Sequence, residues 1–136
     1  MIYYKTGYKY QLAQDYELSI SPIKPKEFLF SDFIRLDTDG TLYIMDGYAW
    51  DGPSGPAIDT SNFMRGSLVH DALYQLMREG KLDHDVCREP ADRLLQQICI
   101  EDGMSSLRAW WVYQGVRFGG GPSADPENDN PTITAP

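Results

Sequence analysis

Short apolar runs, rich in aromatic and β-branched residues, mark the first fifty positions of the chain as β structure. Residues 8–12 and 16–20 form two such runs, bounded by Gly7 and by Ser21-Pro22. A hairpin is predicted where residues 33–36 and 41–45 flank Asp37-Thr38-Asp39-Gly40, because Asp and Gly tolerate the positive φ of a tight turn. Pro22 and Pro25 belong to a connection or an edge strand, since proline cannot donate to a ladder. Residues 46–59 hold three Gly and two Pro and are expected to be a long irregular loop, its start pinned by Tyr48 and Trp50.

From residue 60 the apolar spacing becomes helical. Asp59, Thr60 or Ser61 can cap a helix reaching about Glu79, which Gly80 ends. A second helix is expected to open at residues 88–90, with Pro90 in its first turn, to carry Leu94, Leu95, Ile98 and Cys99, and to stop at Gly103. Ser105 or Ser106 then caps a third, carrying Leu107, Trp110, Trp111 and Val116 as far as Gly119-Gly120-Gly121. Residues 122–136 have almost no apolar side chains and read as a disordered acidic tail. The pattern predicts one α+β domain over residues 1–121: a small antiparallel N-terminal sheet packed on two or three C-terminal helices, with the long loop at their junction.

Composition narrows the partners. A net charge of −8 argues against nonspecific nucleic-acid binding and suits a cation or a basic partner. Cys87 and Cys99 fall on or beside one predicted helix, roughly 18 Å apart, which is beyond disulfide reach. They are expected to be reduced core thiols. The N-terminal residues do not have the charged-then-apolar order of a signal peptide, and no apolar stretch approaches the ~20 residues of a membrane span.

The candidate chemistry centres on His70. At helical spacing it shares a stripe with Phe63, Gly66, Leu73 and Met77, so it lies at or near the buried face. One reading is a core histidine that donates a single hydrogen bond. The other is a general base on water, with Asp71, some 100° further round the helix, facing a cation held also by loop carbonyls, as calcium would be. The base needs an orienting carboxylate. Asp92 is the first choice, on an antiparallel second helix, and Asp85 the second; Asp92 could instead serve a helix N-terminus. Asp83-His84-Asp85 reads as solvated surface, and Trp110, Trp111 and Tyr113 read as core or interface. No phosphate-binding loop, dinucleotide fingerprint, nucleophile elbow or zinc-cysteine pattern occurs.

Two resemblances follow from these residues. Asp51, Ser54 and Pro56, then residues 69–74 (VHDALY), then Ala91-Asp92-Arg93, then residues 113–119 (YQGVRFG), resemble in order a family of short bacterial and phage proteins of unknown function. That resemblance spans roughly residues 30–120 and implies a phage setting, hence host cytoplasm or virion. The glycine-rich loop followed by His70-Asp71-Ala72-Leu73-Tyr74 also resembles the calcium loop and H-D-x-x-Y helix of secreted phospholipases of the A-two type. This second resemblance implies that His70 activates water, that Asp71 and Asp51 ligate calcium with loop carbonyls, that Asp92 orients His70, and that Tyr74 bonds Asp92. Trp50, Gly52, Ser54 and Gly55 would form the loop side of such a site. The chain departs from the phospholipases in lacking their cysteine framework and in placing Pro53 and Pro56 in the loop. The expected function is a phage-associated hydrolase acting on an ester or another acyl or phosphoryl bond. The competing expectation is a non-enzymatic phage protein, a virion part or an inhibitor of a host protein, in which His70, Asp71 and Asp92 form a brace.

Overall fold

A computed structural model of the protein describes residues 2, 4–6, 10–21, 23–50 and 61–119. Strands β1 (Tyr4–Thr6), β2 (Tyr10–Leu12), β3 (Tyr16–Ser19), β4 (Leu29–Phe30), β5 (Ile34–Leu36), β6 (Thr41–Ile44) and β7 (Ala49–Trp50) precede helices α1 (Ser61–Arg78), α2 (His84–Glu101) and α3 (Ser106–Gly119). The arrangement is α+β, as the pattern predicts. The sheet is divided in two, each part antiparallel: β1-β2-β7 and β3-β6-β5-β4.

The predicted hairpin is β5–β6. Its turn closes with Gly40 at φ 87°, the Gly40 amide donating to the Asp37 carbonyl at 3.0 Å and the Thr41 amide to the Asp39 carboxylate at 2.9 Å. Alternate residues Ile34, Leu36, Leu42 and Ile44 point inward and are fully buried with Ile20. Pro25 falls between β3 and β4, where it interrupts no ladder.

The expectation of irregular structure from residue 46 is corrected at one point. Ala49 and Trp50 form β7, paired with β2 as Gln11 opposite Ala49 and Tyr10 opposite Trp50. Two residues suffice because Trp50 and Tyr48 are buried and stacked, with ring centroids 6.5 Å apart. The loop of residues 51–60 and the tail of residues 122–136 lie outside the described residues.

Helix α1 is the centre of the molecule. It is buried on most of its circumference, against sheet residues on one side and α2 on the other. Gly66 sits where α2 crosses: a Cβ there would stand 2.9 Å from Leu95 Cδ1 and 3.0 Å from Cys99 Sγ. Arg65 ties the elements at that end, bonding Asp102 and Glu101 after and at the end of α2 and the Tyr16 hydroxyl on β3.

The second helix begins earlier than its sequence suggests. Asp83 is its N-cap, its carboxylate accepting the Asp85 amide at 3.0 Å, so α2 starts at His84. Pro90 stands inside the helix. It leaves the Val86 carbonyl without its helical partner, and Val86 is exposed, where water can serve instead. Ser105 caps α3, its hydroxyl accepting the Arg108 amide. Among the described residues Cys87 and Cys99 are free, and burial pushes the Cys99 thiol up to about 12, which suits an inert packing group. No described helix is long and apolar enough to cross a membrane.

The crossing at Gly66 yields a prediction. Gly66→Val adds branched bulk where Leu95 and Cys99 are already in contact, and should destabilise the fold by about 1–3 kcal/mol in chemical denaturation. An unchanged midpoint would show that α2 stands further away than this packing requires.

Candidate functional site

Helices α1 and α2 run antiparallel, Gly66 meeting Leu95 and Cys99, His70 meeting Asp92, and Tyr74 meeting Arg88. One turn of α1 therefore sets His70 and Tyr74 over the same point of α2, with ring centroids 4.1 Å apart. That point is Asp92, which has 0% of its surface exposed.

Three side chains converge on this carboxylate. His70 Nε2 lies 2.7 Å from Oδ1, the Tyr74 hydroxyl donates to Oδ1 at 2.5 Å, and Arg117 Nη1 of α3 donates to Oδ2 at 2.9 Å. Burial pushes the Asp92 pKa upward, but the hydrogen bonds from His70, Tyr74 and Arg117 outweigh it and hold the carboxyl below its ordinary range. Burial, together with the Asp92 carboxylate, raises the Tyr74 pKa, so the phenol keeps its proton and donates.

An ionised carboxylate can only accept. Asp92 therefore fixes the proton of neutral His70 on Nε2 and leaves the Nδ1 lone pair as an acceptor. Among the described residues nothing hydrogen-bonds Nδ1, and the side chain keeps 9% of its surface exposed. Such a ring can accept a proton from water or from a hydroxyl.

Arg88 closes the network. Its Nε donates to the Tyr74 oxygen at 3.3 Å, and its Nη2 to the Val116 and Arg117 carbonyls at 3.0 and 2.6 Å, in the last turn of α3. Free carbonyls at a helix C-terminus favour such a cation. Beside it, Glu89 accepts from Tyr113 and Arg93, joining α2 to α3 a third time.

The structure thus brings His70 and Asp92 together, as two antiparallel helices predict, and Tyr74 with them, as the phospholipase resemblance implies. Asp92 is not in a first turn serving a helix N-terminus, because α2 begins eight residues before it. Asp85 does not reach His70; it is exposed and lies 3.4 Å from His84. Asp71 is half-buried on α1. Trp50 is buried, and its indole donates to Ser67 of α1 at 3.1 Å, anchoring the strand that leads into the loop. Asp51, Gly52, Ser54 and Gly55 lie outside the described residues. Asp83, His84 and Asp85 do cluster, with potential ligand atoms within 4.8 Å, but Asp83 is committed to its cap.

Sequence reasoning gave no role to Arg88 or Arg117. Arg117 stands in the Val116-Arg117 pair of the C-terminal motif, and its distance from Asp92 in the chain hides the contact. No protein-family model matches the chain, and neither a curated protein nor a solved structure matches it.

Removing the charge at the hub has a defined consequence. Asp92→Asn leaves Arg117 without its buried partner and should cost about 3 kcal/mol, the scale of breaking a buried pair. Tyr74→Phe, which loses one hydrogen bond, should cost about 1 kcal/mol. Because the folded pKa of Asp92 is depressed, its contribution is present above the ordinary carboxylate range and disappears as pH falls through the lowered value. Melting temperature should therefore fall in acid more steeply for the wild type than for Asp92→Asn. Parallel acid profiles would show that Asp92 is not the charged hub.

Proposed function

We propose that this chain is a hydrolase in which His70 acts as general base on a water molecule, attacking an ester or another acyl or phosphoryl bond. The observation that supports this reading is the asymmetry of the histidine: Nε2 is engaged by a buried carboxylate, while Nδ1 meets no partner among the described residues. Asp92 positions the ring and stabilises the imidazolium that forms as the proton leaves water; Tyr74 and Arg117 keep Asp92 ionised and still. This is the constellation that the resemblance to the A-two phospholipases implies for these three residues.

The phospholipase resemblance assigns to Asp71 and Asp51 a donor set of the hard, oxygen-only kind that calcium takes. When bound, calcium would polarise the carbonyl or phosphoryl oxygen under attack. The phage setting, in host cytoplasm or virion, is part of the same proposal and rests on the ordered motifs of residues 51–119.

One observation favours a second reading. Asp92 is wholly buried and joined to all three helices through His70, Tyr74 and Arg117, as a structural brace would be. In that case the chain is a non-enzymatic phage protein that binds a host or virion protein.

The two readings part at turnover and at its loss in His70→Gln. The test takes the purified chain against a nitrophenyl acetate, a nitrophenyl phosphodiester and phosphatidylcholine vesicles, each with calcium or with chelator. The catalytic reading predicts turnover of one class, lowered roughly 10²–10⁴-fold by His70→Gln. The brace predicts no turnover of any class; under both readings the substitution costs about 1–3 kcal/mol because Asp92 loses a partner, so turnover alone separates them.

Calcium has its own test. Millimolar calcium should raise the melting temperature by mass action, and Asp71→Asn should remove the rise. A melting temperature indifferent to calcium, magnesium and manganese would take the cation out of the proposal and leave the histidine in it.

A further inference from the structure

Helix α3 turns its bulkiest apolar side chains to solvent. Leu107 is 69% exposed, Trp110 44%, Trp111 63% and Phe118 89%. Its buried side is made of Ala109, with Val112 and Val116 packed behind it on Phe63, Leu95 and Cys99. At about 100° per residue the exposed set, with Gln114 and Gly115 between, covers an arc of about 140° on the face away from the body. The sequence expectation that Trp110 and Trp111 are core or interface therefore loses its first half.

Three features say what covers this face. First, its own helix contributes no carboxylate to it. Helix α3 carries Arg108 and Arg117 and no acidic residue, in a chain of net charge −8, and Arg117 is paired with Asp92. Two copies repel least when they meet here.

Second, the patch has matched relief. Gly115 lies one turn beyond Trp111, and a Cβ there would meet nothing within 4 Å. Among the described residues nothing calls for a residue that weakens a helix wherever it stands. A flat notch beside an indole ridge is self-complementary. With two α3 helices antiparallel about a two-fold axis level with Tyr113, Trp111 covers the partner's Gly115, and Leu107 lies beside the partner's Phe118. The same pairs repeat on the other side of the axis, as an isologous contact requires.

Third, the area suffices. The exposed parts of the four large side chains come to roughly 500 Å² per copy, and so to about 1,000 Å² across two, the lower bound for a specific interface.

We infer that α3 is a self-association face and that the protein forms a two-fold dimer through Leu107, Trp110, Trp111, Gly115 and Phe118. A contact of this size falls with the smaller, transient class of interfaces. The inference does not depend on whether His70 is a base or part of a brace.

Sedimentation velocity of the full chain, from about 1 to about 200 µM, tests it. The apparent mass should rise from one chain to two, with a concentration-dependent blue shift of tryptophan emission. Trp111→Glu, at an exposed position, should keep the fold by circular dichroism and weaken the dimer on the order of tenfold or more. Gly115→Leu fills the notch without touching the protomer, so it should weaken the dimer equally while leaving the melting temperature of the monomer no lower. A chain that stays monomeric throughout overturns the inference, and so does a dimer that both variants leave as tight as before. Binding of monomers to phosphatidylcholine vesicles without self-association would assign the face to lipid and overturn it as well.

Discussion

Taking a carboxylate wholly out of water costs several kcal/mol unless its charge is met on the spot, and among the described residues this fold meets that condition at Asp92. Asp92 is reached by His70 and Tyr74 from α1 and by Arg117 from α3, while it stands on α2 itself. Each helix supplies a part that the others cannot replace. Arg88 extends the arrangement by joining the Tyr74 hydroxyl to the last carbonyls of α3. The crossing of α1 and α2 at Gly66 then sets the register that lets His70 and Tyr74 arrive over Asp92 together. A shift of one residue along either helix would rotate these side chains by about 100° and dissolve the site.

The same contacts serve two ends, and the chemistry explains why. A histidine that is to act as a base must be held in one tautomer, and a carboxylate that holds it must be kept ionised and immobile. Donors that achieve this also cross-link the helices that carry them. Structural bracing is thus the mechanical side of the proposed catalysis, and what separates the readings is whether the second nitrogen of His70 takes a proton from water. The acidic balance of the chain and the uncharged outer face of α3 concern assembly and leave that nitrogen untouched.

What the sequence revealed follows the locality of each signal. The β5–β6 hairpin was legible because Asp39-Gly40 states its turn within four residues, and α1 because its apolar spacing continues for five turns up to Gly80. His70 and Asp92 were legible because two helices joined by a short connection lie antiparallel, whereas Tyr74 was placed on Asp92 only by the phospholipase resemblance. The start of α2 was not: Pro90 is the stronger local mark of a first turn, yet Asp83 captures the cap and the helix runs through the proline. Ala49 and Trp50 were hidden among glycines and prolines, since their pairing with β2 is a contact across nearly forty residues of chain. Arg117 was missed for the same reason. On α3 the sequence left Trp110 and Trp111 as core or interface and grouped them with Val116, which packs on the core while they face solvent, because periodicity marks a face without saying which side the body occupies.

The central claim is that ionised Asp92 holds the proton of neutral His70 on Nε2 and leaves Nδ1 as an acceptor. Nitrogen-detected NMR of the imidazole, recorded on the full chain at a pH where His70 is neutral, reports this directly. The account predicts a protonated Nε2 with a hydrogen-bonded proton and a bare, pyridine-like Nδ1, and it predicts that Asp92→Asn removes the preference. A proton on Nδ1 in the wild type, with Nε2 accepting from a protonated Asp92, would contradict it.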